Sequence, residues 1–143
     1  FQPRYIDVDI WQHLNNAALS SMHGEAVQQA LRSVFGPDSW RTCQPARACA
    51  ALATDFLAEG QYPGPLAWGA RVMGWEPAGL RIASALFQSG RCIGLHEAIV
   101  CGWSDGRPVG LGAEAGTALR AAGVPGAEAG LADPLLARFA GTP

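Results

Sequence analysis

The sequence predicts an α+β domain in which one long helix is covered by a largely antiparallel sheet. Three observations predict it. Residues 16–35 keep helical spacing throughout, four later stretches alternate with period two, and the breaks between those stretches are short and rich in turn residues. A lone helix of about five turns, apolar over much of its circumference, needs cover on most sides. A curved sheet wrapped around it supplies that cover.

Residues 1–6 read as the remnant of a first strand, cut short at its start, and residues 7–15 as a polar and aromatic loop. Within 16–35, Ala18, Met22, Ala26, Ala30 and Val34 form one apolar ridge, and Leu19, Val27, Leu31 and Phe35 form the next. Glu25, Gln28, Gln29 and Arg32 fall on the other side. Asn15 or Asn16 suits the N-cap, and Gly36-Pro37 stops the helix. Strands are expected at 47–57, 66–75, 80–87 and 92–103. The breaks at 60–65, 76–79 and 89–90 carry turn chemistry, and the last two are short enough for hairpins. Asp105-Gly106 lies in the turn that closes the last strand. The whole chain, 1–143, reads as one domain, with an Ala- and Gly-rich C-terminal extension at 113–143. Weak helix signals lie in it at 113–122 and 134–140.

Composition narrows the chemistry. At 143 residues, 49% hydrophobic and 15% charged, with a formal net charge of -2, the chain can bury a core. That balance excludes a disordered chain and lacks the basic excess of a nucleic-acid surface. No apolar run approaches the roughly 20 residues of a membrane span. All ten basic residues are Arg, so lysine Schiff-base chemistry and the Lys-containing phosphate loop are excluded. Cys43, Cys49, Cys92 and Cys101 form no Cys-x-x-Cys pair and have no His at zinc-ligand spacing, so no metal site is expected. Reduced thiols and no recognisable signal peptide lead to the expectation of a cytoplasmic protein. Arg71, Arg81, Arg91 and Arg107 read as a solvated strand face, and none is assigned to a phosphate.

The chemistry-bearing segment runs from Pro3 to Asn16. It brings Asp7, Asp9, His13, Asn15 and Asn16 into a short loop that opens the helix. A helix N-terminus has unpaired N–H groups and about half a positive charge, which can bind an anion or polarise a carbonyl. A carboxylate beside it can act as general base or nucleophile.

Asp7-x-Asp9-x-x-x-His13-Leu14-Asn15-Asn16 followed by a long helix resembles the Asp-x-Asp-x-x-Gly-His-Val-Asn-Asn signature of 4-hydroxybenzoyl-CoA thioesterase-like hot-dog proteins. It is also similar to the Asp-Leu-Asp-x-Asn-Gln-His-Val-Asn-Asn segment of plant acyl-ACP thioesterases. The resemblance continues through Ala53-Thr54-Asp55-Phe56-Leu57 and Asp105-Gly106-Arg107-Pro108, covering about residues 3–112. It implies a five-stranded antiparallel sheet around the long helix and a homodimer or homotetramer (a dimer of dimers) with active sites at subunit interfaces. It further implies hydrolysis of an acyl-CoA or acyl-ACP thioester without a cofactor.

Carried over residue by residue, the resemblance puts the catalytic carboxylate on Asp9, as general base or nucleophile, with backbone N–H groups holding the oxyanion. His13 matches the motif histidine, expected either to join catalysis or to brace the loop. Trp11, Asn15 and Asn16 are the expected substrate-binding residues, the two asparagines doubling as caps. Glu25 is a reserve carboxylate on the helix. Asp7 is expected to be structural and His23 to be a satisfied core histidine. Two departures stand out: Trp11 replaces the Asn of the acyl-ACP branch, and Gln12 replaces the Gly of the broader signature. A non-catalytic acyl-thioester sensor is the rival reading. A hot-dog enoyl-CoA hydratase fits less well, because His13 follows Asp9 by four residues rather than five and no Asn-Pro is present.

Overall fold

The computed structural model describes residues 1–126, so the helix expected at 134–140 lies outside the described residues. The long helix α1 spans Asn16–Phe35, with Asn15 as its N-cap. It ends at Gly36, whose φ of 89° is a conformation that glycine adopts without a Cβ clash. A single turn, α2 (Ser39–Thr42), leads into β1 (Ala46–Phe56). Then come β2 (Ala67–Glu76), β3 (Gly79–Gln88), β4 (Arg91–Ser104), the short β5 (Arg107–Val109) and α3 (Ala113–Ala121).

All pairings are antiparallel, in the order β1-β4-β3-β2, with β5 on β4. The β3–β4 turn at Ser89-Gly90 and the β4–β5 turn at Asp105-Gly106 each place two successive residues at positive φ. Such turns match the right-handed twist of the strands they join. The long strands fall within about one residue of expectation. Residues 1–6 are the exception. Instead of a strand, Tyr5–Asp7 form a 3-10 turn, because Arg4 backbone N and its guanidinium both donate to the Asp7 carboxylate. Only Phe1 keeps a sheet-like contact, its carbonyl accepting from Leu66 N at 2.8 Å. The fifth strand of the sheet is β5.

The concave sheet face and α1 enclose two apolar clusters. One joins Val27, Ala30 and Leu31 of α1 to Val72, Leu80, Ile82, Ala98 and Val100. The other joins Ala18, Leu19 and Met22 to Leu14, Leu66, Leu86 and Ile93. The Ala-rich segment after β5 is part of this core: Leu111, Ala115 and Leu119 are buried in the first cluster.

A polar seam lies between the clusters. Ser84, His96 and Thr54 are register partners across β3, β4 and β1, and His23 of α1 stacks on His96 with ring centres 5.0 Å apart. His23 Nδ1 is hydrogen-bonded to Ser84 Oγ (2.9 Å) and His96 Nδ1 to Thr54 Oγ1 (2.7 Å). His23 Nε2 is buried without a partner among the described residues, so this histidine is only half satisfied. A Cβ at Gly94 would sit 3.0 Å from that nitrogen, which is why the ring seats over a glycine.

Burial, and the second imidazole against it, push His23 down to about 4; burial also lowers His96. Between pH 6.5 and 4 the unfolded chain therefore binds protons that the native state refuses. The stability from a neutral His23 is complete above pH 6.5 and is lost as pH falls towards 4, by about 3 kcal/mol. Asp7, held low by hydrogen bonds from Arg4, adds its own loss only below the ordinary carboxylate range. Urea unfolding at pH 7.5 and pH 4.5 should show this decline, and His23→Gln should flatten it; an unchanged pH slope in that variant refutes the assignment.

Candidate active site

The loop before α1 is built from local hydrogen bonds. Asp9 backbone N donates to His13 O (2.8 Å) and Gln12 N to Asp9 O (3.1 Å), while Val8 and Leu14 form an antiparallel bridge. Asp9 Oδ1 accepts from the backbone N of Trp11 (2.8 Å) and of His13 (3.0 Å). Closing this turn forces Gln12 to a φ of 64°. Loop and helix are locked by Asn15. Its Oδ1 accepts from Ala18 N, its Nδ2 donates to Asp7 O, and its backbone N donates to the same carbonyl.

Asp7 is buried and ion-paired to Arg4 (3.0 Å), so it acts on the structure, as expected. Asp9 is half-buried and lines an open groove of about 900 Å³. Its Oδ2 has no hydrogen-bond partner among the described residues. Tyr5, Ile10, Trp11, Tyr62 and Pro63 wall the groove. The carboxyl therefore braces its own loop with one oxygen and leaves the other unpaired in a residue that lines the groove. The N–H groups of Asn16 and Ala17 in the first turn of α1 have no acceptor among the described residues, but neither residue lines the groove.

The other expected residues distribute unevenly. Trp11 is 72% exposed and lines the groove beside Ile10, which is 86% exposed. Asn15 also lines it, but both ends of its amide are already used as a cap. Asn16 is an exposed first helical residue outside the groove lining. His13 is not brought to Asp9 by its side chain: its Nε2 lies 3.4 Å from Glu59 Oε2, and only its backbone N meets the Asp9 carboxyl. Glu25 faces a separate groove of about 410 Å³ with Arg4, Asp7 and Ser21. Among the described residues no group of three or more His, Cys, Asp or Glu could hold a metal ion.

Sequence reasoning missed the far wall. Tyr5 and Tyr62 meet edge to face with ring centres 6.3 Å apart, and Tyr62 also packs on the core. The one available signal was an aromatic placed between glycine and proline in the 60–65 break, which turn chemistry alone does not explain.

No family model and no curated protein matches the sequence. Solved structures do match the fold. The thioesterase from Thermus thermophilus, crystallised with coenzyme A and Zn, is 23% identical with a TM-score of 0.69; the match covers 85% of this chain and 89% of that one. The DHNA-CoA thioesterase from Staphylococcus aureus is 13% identical (TM-score 0.69, 86% and 89% covered). The probable thioesterase YbaW from Escherichia coli is 13% identical (TM-score 0.67, 83% and 92% covered). At such identities the likeness establishes the fold: this chain is a five-stranded hot-dog, like these thioesterases.

If Asn15 is the lock between loop and helix, Asn15→Ala should lose the cap and the tie to Asp7 together. A cap alone contributes about 1 kcal/mol. The double loss should lower stability by about 1–2 kcal/mol, and Tm by several degrees. An unshifted thermal transition would show that the loop is held elsewhere.

Proposed function

We propose that the chain hydrolyses an acyl thioester carried by coenzyme A or acyl carrier protein, with Asp9 as the reacting carboxylate. The observation that carries this reading is the unpartnered Oδ2 of Asp9 in a groove walled by aromatic side chains. A thioester carbonyl seated there lies open to attack. Oδ2 either takes a proton from the water that attacks the carbonyl carbon, or attacks that carbon itself to give a mixed anhydride that water then hydrolyses. Backbone N–H groups supply the donors for the oxygen that gains charge, and the leaving-group thiolate departs as the carbonyl re-forms. No cofactor is required, because the thioester is already activated. The hot-dog fold shared with thioesterases, one of them crystallised with coenzyme A, supports the substrate class.

A second copy of the chain is part of this proposal, as a homodimer or a dimer of dimers. Tyr5, Ile6, Ile10 and Trp11 leave the groove with an exposed apolar rim, and β1 is an edge strand whose Leu52 is 62% exposed. Apolar rims and open strand edges of this kind are normally covered. The position of His13 favours one rival reading. With its imidazole on Glu59 rather than Asp9, the site lacks a second catalytic side chain from its own loop, which suits a non-catalytic acyl-thioester binder.

Thiol release from a panel of acyl-CoAs separates the two. Asp9→Asn keeps an oxygen to accept from Trp11 and His13, so its Tm should stay within about 2–3 °C of the parent. Its kcat/KM should nevertheless fall about 10²–10⁴-fold, the usual contribution of a positioned base. Undiminished hydrolysis by Asp9→Asn would reject Asp9 as the reacting group. Acyl-CoA binding without turnover by the parent would favour the sensor.

A further inference from the structure

At the opposite end of α1 a second, smaller cavity has the chemistry of an anion site. It has a volume of about 80 Å³ and is lined by Gln28, Arg32, Ser39, Cys43 and Arg47, with Leu31 as an apolar wall. No carboxylate among the described residues lines it. Neither Arg32 nor Arg47 has an ion-pair or hydrogen-bond partner among the described residues. Arg32 lies sixteen residues from Asn16, about 24 Å along the helix, so this cavity is not a part of the Asp9 groove in the same chain.

Arg47 is held in an unusual way. Its guanidinium lies over the Phe35 ring, 3.8 Å from the centroid, so one face is covered by an aromatic. Stacking of that kind fixes the plane and leaves the in-plane N–H edge for acceptors. Yet Nε of Arg47 is buried with no acceptor among the described residues. Nε is closed off from the cavity, so the terminal N–H groups of Arg47, which are not buried in this way, are the donors left for an oxyanion. Size agrees with this. About 10–15 Å³ of such space admits one water, so the cavity takes a handful of non-hydrogen atoms: a phosphate or sulfate, not a nucleotide base.

We infer that Arg32 and Arg47, with Ser39 and Gln28, form a binding site for a phosphoryl or sulfuryl oxyanion. The two guanidiniums supply charge and paired N–H donors, and the hydroxyl and amide complete the shell. The same chemistry serves free inorganic phosphate or a phosphate group borne by a larger molecule, such as the carrier of a thioester. This anion site is independent of the proposed hydrolysis.

The test uses the full chain at constant ionic strength, with chloride as the control anion. Inorganic phosphate should raise Tm and bind measurably by calorimetry, whereas chloride should do neither. Arg32→Gln alters an exposed helical side chain and should leave the fold intact while weakening phosphate at least tenfold. Arg47→Gln should do the same, and Arg47→Lys should recover only part of the affinity, because a point charge lacks the planar fork. Coenzyme A and its 3′-dephospho form distinguish the source. If coenzyme A alone weakens in Arg32→Gln, the group is the carrier's phosphate; if inorganic phosphate alone weakens, it is a free anion. Affinities for phosphate and coenzyme A that are both indifferent to Arg32→Gln overturn the site, whatever the hydrolysis assay returns.

Discussion

The structure is organised by the need to bury α1. Its apolar residues occupy too wide an arc for one neighbour, so the sheet covers it on one side and the segment after β5 packs on it through Leu111 and, from α3, Ala115 and Leu119. Everything functional is placed by that packing. With α1 fixed along the concave face, its N-terminus and the loop before it come out where the 60–65 connection passes. The bridge between His13 and Gln61 and the bond from Leu14 N to Gly60 O join the two. The Asp9 groove is the space left where this junction meets solvent.

What the sequence made legible follows from locality. Helix α1 has the expected bounds because twenty residues of unbroken 3.6 spacing, a capping Asn and a terminal Gly all agree. The β3–β4 hairpin was readable because Ser89-Gly90 suits a turn with positive φ, whereas Asp105-Gly106, read only as the end of the last strand, turns the chain back into β5. Residues 1–6 misled because apolar alternation is a weak signal over so short a run. The Arg4–Asp7 pair, a local charge contact three residues apart, wins there and coils the chain. The α3 segment looked weak because Ala and Gly carry little pattern; its burial comes from the sheet and α1, not from its own propensity.

The candidate site divides along the same line. Asp9, Trp11 and Asn15 were legible as candidates because the contacts that place them lie within a few residues, whereas Tyr62 and Glu59 reach the same region from a connection some fifty residues later. Pairing of His23 with His96 was invisible for the same reason. His23 reads as a lone polar residue in an apolar ridge, and only the β3–β4–β1 register together with α1 puts its ring against that of His96. Such long-range polar pairs have no periodicity to announce them.

The loop also explains the two departures from the signature it resembles. An Asp whose carboxylate accepts the backbone N–H groups two and four residues on closes a tight turn, and that turn requires a left-handed residue at the third position. Glycine meets that requirement without a steric penalty, which accounts for its place in the broader motif. Gln12 meets it at a φ of 64°, a conformation that costs a non-glycine residue about 1–2 kcal/mol. The carboxylate clamp and the left-handed residue are therefore one geometric unit, and Gln12 leaves that unit intact. Trp11 is a departure of another kind. Its backbone N still binds Asp9, so the clamp is unaffected, while its side chain projects from the turn as a wall of the groove. The position of the Asp9 carboxylate and the shape of the groove beside it are thus set by different atoms of the same short loop, and a substitution at position 11 can reshape the groove without moving the carboxylate.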